Sequence, residues 1–376
     1  MEENLNRIEI SEEALKKNIA SFRTLLSPTT KFTSVIKSNA YGHGILEVAE
    51  ICLRAKVDVL GVNSLEEALL LRSKFKDAII LIMGEIPNKN LWKAELSDEN
   101  FWIVVSRFED VDFLSGLFPR PKIHLKTDTG MSRLGHSGTK MEEVLRDLSR
   151  AHLPLDGLLT HFASTEDFTE HSYSMLQLET FLKYYNLALS LGYKNLIRHT
   201  ASSASSLLFE EARMDMVRVG ISLYGLWPSL ETRLSLSLMG KNFNLEPVLS
   251  WKTGIVHIQN VNAGVYVGYG STYKTTVPTK IAVLPIGYYE GYDRRLSNQG
   301  HVLINGERAP ILGRVCMNMT MVNVTHIQDV GIGTEVTLIG RSGKEIISAD
   351  DLAGLTGTIN YDVVTGIQKD IKRVIV

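Results

Sequence analysis

The stretch Phe32-Thr33-Ser34-Val35-Ile36-Lys37-Ser38-Asn39-Ala40-Tyr41-Gly42-His43-Gly44 is an apolar run that stops on a lysine and passes into a polar turn with two glycines. Outward from it the same rhythm recurs. Short apolar runs at 32–36, 57–62, 78–83, 101–105, 122–125, 154–160, 196–199 and 214–219 alternate with longer stretches such as 65–72 and 173–191. Those longer stretches carry apolar residues at helical spacing. Eight strand-and-helix units within about 220 residues predict an α/β fold, an N-terminal TIM (β/α)8 barrel. A doubly wound open sheet would call for a glycine-rich phosphate turn after its first strand and usually for fewer strands.

Beyond about residue 240 the helical pattern nearly vanishes. Runs at 248–261, 280–285, 301–304, 309–315, 320–324 and 335–339 read as strands, separated by turns such as Asn305-Gly306 and Gly343-Lys344. A mostly β C-terminal domain is expected, with the chain dividing into 1–240 and 241–376. Ser348 is a plausible cap for one short helix over 348–355. Ile8-Glu9-Ile10 reads as a strand that pairs with the β domain.

The 376 residues are 44% hydrophobic and 22% charged, an ordinary globular composition with mass for a large core. Forty lysines and arginines against 42 acidic residues leave a formal charge of -2, so no global basic field exists for nucleic acid or acidic lipid. A small-molecule partner is expected. Two cysteines, Cys52 and Cys316, cannot make a disulfide framework, and the chain starts on a charged Met-Glu-Glu, so a reduced, cytoplasmic protein is predicted. The longest apolar runs reach about six residues, where a membrane span needs about 20.

In a TIM barrel the working groups sit at the C-terminal ends of the strands. Here those ends present Lys37, Lys126 with Arg133 in the following loop, His161, His199 and Arg218. A single lysine at a strand end is commonly just solvated, but five strand ends that each present such a group on one rim are harder to explain that way. A lysine crowded by arginines should have its pKa lowered, leaving a nucleophilic amine near neutral pH. Ser202-Ser203 after the seventh strand and Gly220-Ile221 after the eighth lie where barrels often bind phosphate. Lysine plus phosphate cradle suggests pyridoxal phosphate, although serines in such a turn can equally be a helix cap. The rival is a two-metal hydrolase bridged by a carbamylated lysine. It would need a His-x-His pair near the first strand and a carboxylate near the eighth, where Lys37 and Arg218 stand; arginine cannot ligate a metal, and none is expected.

The decapeptide VIKSNAYGHG (35–44) resembles the pyridoxal-phosphate motif of alanine racemases. The resemblance continues through KTDTGMSRLG (126–135), THFA (160–163), MVRVGISLYGL (216–226), VGYG (267–270), LPIGY (284–288), GRVCM (313–317) and TINYD (358–362), in order, across both expected domains. It implies interconversion of L- and D-alanine, supplying D-alanine for peptidoglycan. Lys37 would hold the cofactor in Schiff-base linkage and act as one base. Tyr269 would act as the other, reaching across a homodimer interface into the partner's barrel mouth beside a positive relay of His161 and Arg218. Two bases are wanted because racemisation removes a proton from one face of a planar carbon and returns one to the other. Both residue types ionise near pH 10, so each must be depressed to serve near neutrality.

The resemblance also implies that Arg218 meets the pyridine nitrogen. A permanently protonated arginine donates a hydrogen bond but leaves that nitrogen largely unprotonated, which weakens the ring as an electron sink and favours rapid reprotonation over transamination. Arg133 and the Met317 backbone are implied to bind the substrate carboxylate, and Lys126 is implied to be carbamylated so as to orient Arg133. Tyr41, Ser203, Gly220, Ile221 and Tyr361 are implied to cradle the phosphate, and Tyr288, Arg294, Arg314, Ile359 and Glu166 to line a narrow entry. Three places depart from the family pattern: Ser202 where Asn is common, Asn318 where Asp is common, and a C-terminus without Pro-Arg. Asn318 leaves strictness for alanine over serine open. An amino-acid decarboxylase would want a carboxylate in place of Arg218, and a non-catalytic pyridoxal-phosphate carrier would need neither Tyr269 nor the β domain.

His124, His136 and His152 read as structural or surface polar groups, Met131 and Met319 as packing residues and Cys52 as a small buried hydrophobe. Trp102 and Trp251 lie in strand patterns and read as core or dimer surface.

Overall fold

The computed structural model describes residues 5–165 and 171–376. By contacts the chain divides into two units. One holds Ala14–Ser38 and Ala49–Glu246; the other holds the N-terminal residues through Glu13, then Asn39–Val48 and Pro247–Val376.

The first strand, β1 (Arg7–Ile10), belongs to the second unit. The next eight are β2 (Lys31–Val35), β3 (Val59–Val62), β4 (Ile80–Ile82), β5 (Phe101–Val105), β6 (Lys122–Lys126), β7 (Gly157–Leu159), β8 (Ile197–His199) and β9 (Met216–Val219). They form one parallel sheet in the order β8-β7-β6-β5-β4-β3-β2-β9. β9 pairs with β2 from Lys31↔Met216 to Ser34↔Val219. Beside β8 its backbone makes no ladder, only the bonds Asp215 N to Arg198 O at 3.2 Å and Arg218 N to Ala201 O at 3.0 Å among the described residues, so the barrel is nearly rather than fully laddered. Helices flank the strands, among them Leu65–Lys74 and Ser172–Ser190. Parallel strands covered on both faces want continuous apolar runs, and β3, β4, β5 and β9 are buried at every position. Val59, Leu81, Trp102, Val104, Leu159 and Met216 cluster in the barrel core.

The second unit is mostly β. A seven-stranded sheet runs β14 (Glu307–Pro310), β13 (His301–Ile304), β16 (Glu335–Ser342), β10 (Leu249–Gly254), β1 and β18 (Lys372–Ile375), with β17 (Glu345–Ile347) beside β16. β1 lies antiparallel to β10 and parallel to β18, so Ile8-Glu9-Ile10 is a strand of the β domain, as its pattern led us to expect. A three-stranded sheet runs β11 (His257–Val261), β12 (Thr279–Leu284) and β15 (Thr320–Asn323). The single run expected over 248–261 is therefore two strands in two sheets. Ser348 caps the helix Ala349–Thr356: its Oγ accepts Asp351 N–H at 3.0 Å while Asp351 Oδ2 accepts Ser348 N–H at 2.8 Å. A second helix, Asn360–Thr365, was not read from the sequence.

Candidate active site

The opening decapeptide folds in an uncommon way. Lys37–Tyr41 makes one helical turn in which Ser38, Asn39, Ala40 and Tyr41 have φ of 55, 54, 53 and 51°. A left-handed turn costs roughly 1–2 kcal/mol per non-glycine residue. Local bonds hold it: Ser38 N–H donates to Glu67 Oε1 at 2.6 Å, Gly44 N–H to Asn39 O at 3.0 Å, and Ile45 N–H to Asn39 Oδ1 at 3.0 Å. Gly42 is obligatory, since a Cβ there would lie 1.9 Å from Val364 O, at a φ of +84°. Strain of this kind, held in place by surrounding bonds, is characteristic of functional sites.

Within the barrel unit, Lys37, Lys126, Arg133, His161 and Arg218 act electrostatically on one another. Burial lowers the pKa of Lys37 and Arg133 lowers it further, against an opposing pull from Glu67. Burial, then Arg218 and Arg133, bring Lys126 down to about 7. His161 is pushed well below its ordinary value by burial and then by Arg218, Lys126, Arg133 and Lys37, so it is neutral. The positive end of the expected His161–Arg218 relay is thus Arg218 alone. Burial lowers Arg218 to about 10, leaving it cationic at neutral pH. Its Nη2 donates to Thr160 O at 2.8 Å and Thr200 O at 3.2 Å, and its Nη1 to His199 O and to His199 Nδ1, the latter at 3.1 Å.

The loop bearing Arg133 is built around Asp128, whose Oδ1 accepts the N–H groups of Gly130, Met131 and Ser132 at 2.9, 2.9 and 3.1 Å. Asp128 belongs to a quoted motif, but its role was not read from the sequence. The phosphate-cradle candidates fall in two groups. Gly220 N–H donates to Ser203 Oγ at 2.9 Å in the barrel unit, next to the helical turn that opens at Ile221. Ser202 caps the helix Ser203–Leu208, taking the helix-cap role that the sequence left open for this turn. Tyr41 and Tyr361 face each other in the β unit with ring centroids 6.2 Å apart, and burial holds the Tyr41 phenol up at about 12, fully protonated.

The β unit also carries a groove of about 880 Å³ that brings together Tyr269, Met317, Tyr288, Arg294 and Arg314. Tyr269 lies between glycines at φ of 72 and 73°; a Cβ on Gly270 would crowd the Arg314 guanidinium at 3.1 Å. Tyr269 is 71% exposed in the protomer. Asn318 Nδ2 donates to Glu290 Oε1 at 2.7 Å, a contact that an aspartate there could not make without setting two carboxylates together. Ile359 caps the helix Asn360–Thr365 and is exposed. Glu166 lies outside the described residues.

His124 was read as a structural or surface group. It is buried in the barrel, its Nδ1 2.9 Å from His199 Nε2. Trp102, Trp251 and Cys52 are buried core residues. Among the described residues no group of three His, Cys, Asp or Glu is placed to hold a metal, and no helix is long and apolar enough to cross a membrane.

The donor set suits an anion: Lys37, Lys126, Arg133 and Arg218 are basic groups gathered in the barrel unit, opposed at Lys37 by Glu67 and at Lys126 by Asp128 among the described residues. A phosphorylated aldehyde cofactor fits such a set, with an amine to bind it and cations to balance its charge. Together with a β unit that exposes a tyrosine, this defines a class, the lysine-centred barrel enzymes with an appended β unit. Residues 10–228 match the family model "Alanine racemase, N-terminal domain" and residues 248–375 match "Alanine racemase, C-terminal domain". The alanine racemase of Leptospira interrogans serovar copenhageni is 54% identical over 98% of this chain and 95% of its own. The alanine racemase of Bacillus anthracis, solved with bound L-Ala-P, superposes with a TM-score of 0.88 at 36% identity, over 100% of this chain and 95% of that one. That of Bartonella henselae, with covalently bound pyridoxal phosphate, shares the fold at a TM-score of 0.84 and 24% identity, over 100% of both chains. The chain belongs to the alanine racemase family. It is an isomerase, in a family that is pyridoxal-phosphate dependent in general.

Proposed function

We propose that this chain racemises alanine by a two-base mechanism with pyridoxal phosphate, in a homodimer where residues 1–240 carry the cofactor lysine and residues 241–376 supply the second base to the partner subunit. The observation that carries it is the placement of Lys37 and Tyr269 in different units of the chain. Lys37 is a pKa-lowered lysine on the barrel rim, and Tyr269 is a phenol presented to solvent on glycine-flanked backbone in the other unit. When bound, the cofactor acidifies the substrate α-proton by withdrawing electrons through its ring. Lys37 would hold it covalently and move a proton on one face; Tyr269 would move one on the other. Arg218 would meet the ring nitrogen, its plane fixed by hydrogen bonds to Thr160, Thr200 and His199. Neutral His161 can accept a hydrogen bond from a donor beside it, and Arg218 supplies the positive charge next to it. Ser203, Gly220, Ile221, Tyr41 and Tyr361 take the phosphate, and Arg133 and the Met317 backbone take the substrate carboxylate. The reading extends to a reducing cytoplasm, where both cysteines remain free, and to supply of D-alanine for peptidoglycan. Purified holoenzyme should convert L-alanine to the racemate, and L-serine at least about tenfold less well per kcat/KM, a difference within reach of one polar group in a tight pocket. Equal rates would make it a broader racemase; no inversion of either would remove the activity.

Lys126 enters the same reading as a carbamylated residue. An amine with a pKa of about 7 is largely unprotonated just above neutrality and can add carbon dioxide, forming a carbamate anion and releasing one proton. The sign of the pH effect follows from the shift. The unfolded lysine keeps its proton to about 10.4 and the folded one loses it near 7, so unfolding free energy rises with pH across that window and the penalty is full below it. Carbon dioxide should therefore raise the melting temperature of the wild type and add one carboxylate to its native mass. Lys126→Met should abolish both effects and flatten the rise in stability between about pH 7 and 9. A carbon-dioxide response that survives in Lys126→Met would assign it elsewhere.

A further inference from the structure

Two histidines outside the roles given above form a chain behind Arg218. His199 and His124 are both fully buried, at the end of β8 and the middle of β6, the two strands that flank β7. Arg218 Nη1 lies 3.1 Å from His199 Nδ1, and His199 Nε2 lies 2.9 Å from His124 Nδ1. Guanidinium nitrogens only donate, so His199 Nδ1 is the acceptor. Burial and the neighbouring cations keep both rings neutral, His124 with a pKa near 3 and His199 well below its ordinary value. Neutral His199 therefore carries its one proton on Nε2 and donates to His124 Nδ1, which leaves the proton of His124 on its own Nε2. That atom is buried and finds no partner among the described residues. One arginine thus dictates two tautomers in series.

The barrel makes room for this chain at some cost. Gly157 of β7 pairs with His124 in the sheet register, and a Cβ on Gly157 would lie 2.2 Å from His124 Nδ1. The His124 ring lies across that gap, stacked on Trp102 with centroids 5.0 Å apart and planes 20° from parallel. An unpartnered buried N–H costs about 1–3 kcal/mol, and an apolar pair would fill the space without that loss. The return on a neutral, single-tautomer pair is an acceptor of fixed direction for Arg218.

We propose that His124 is a positioning residue for Arg218, acting through the tautomer and orientation of His199, with Gly157 as the gap that seats it. The proposal rests on the reading that Arg218 serves the cofactor ring. Its first test does not depend on activity. Two-bond ¹H–¹⁵N correlation spectra of the ¹⁵N-histidine-labelled holoenzyme should show both rings neutral with the proton on Nε2. His199 protonated on Nδ1, or cationic near pH 7, would overturn the chain. His124→Phe keeps an aromatic ring on Trp102 but removes the acceptor, and Gly157→Ala displaces the ring. Both should lower kcat for alanine by about tenfold with KM within about twofold, and shift the Nδ1 resonance of His199. His124→Asn places an amide oxygen near the position of Nδ1 and should stay within about threefold of wild type. A wild-type rate in His124→Phe, or equal losses in the Phe and Asn variants, would overturn the positioning role. Absence of racemisation in the wild type would instead overturn the function reading, and the spectra would still decide the chain.

Discussion

Replacing Tyr269 by phenylalanine is expected to cut racemisation of alanine by about 10³-fold in both directions, the worth of one general base. Because the two enantiomers are equally stable, kcat/KM must fall equally from either side. Partial reactions need not obey that symmetry. With Lys37 still serving one face, one enantiomer should go on exchanging its α-proton with solvent, about 10²-fold faster than it inverts, while the other should exchange at the inversion rate. Tyr269 is largely exposed in the protomer and removing its hydroxyl leaves no buried hole, so the variant should fold and bind cofactor normally. Exchange lost equally from both enantiomers would deny Tyr269 a single face. The shared site has its own check. Lys37→Ala and Tyr269→Phe subunits, each inactive, should on dissociation and remixing form heterodimers with one complete site out of two, recovering about a quarter of wild-type activity if assortment is random. No recovery despite heterodimer formation would place both groups in the same protomer's site.

Lys37→Ala removes a base and the covalent anchor together, and is expected to lower racemisation by about 10⁴-fold or more. Borohydride reduction separates the two roles. In the wild type it should fix the cofactor on the peptide carrying Lys37; in the variant no peptide should carry it. The barrel should not suffer, because the lost ammonium is one that burial and Arg133 already disfavour. A reduced cofactor adduct on another lysine, with activity kept, would move the centre of the site.

How far these assignments were legible in the sequence depended on distance along the chain. The eight barrel strands fall within the apolar runs to within a few residues, since a strand buried on both faces leaves a contiguous signature. Run 78–83 extends past the ladder at Ile80–Ile82 because apolar residues continue beyond the last paired position, and run 154–160 is longer than the ladder at Gly157–Leu159. The run 248–261 hid a change of sheet between Gly254 and His257, for strand partners are not written in the strand itself. Ser348 announced its helix through local capping chemistry. The left-handed turn at 38–41 could not be read, as none of its four residues favours positive φ strongly enough to signal it. His124 gave no sign either. Its partner is His199, 75 positions on, and only the barrel register brings the two together.

The central claim is that two groups on opposite faces pass different protons. The most direct measurement is L-alanine incubated with wild-type holoenzyme in deuterium oxide, with chirality and α-deuterium followed in substrate and product at early times. The account predicts that the first D-alanine formed is deuterated at the α-carbon while the remaining L-alanine is still largely protiated. D-alanine that retains the substrate's own α-proton, or deuterium entering L-alanine without inversion, would contradict it.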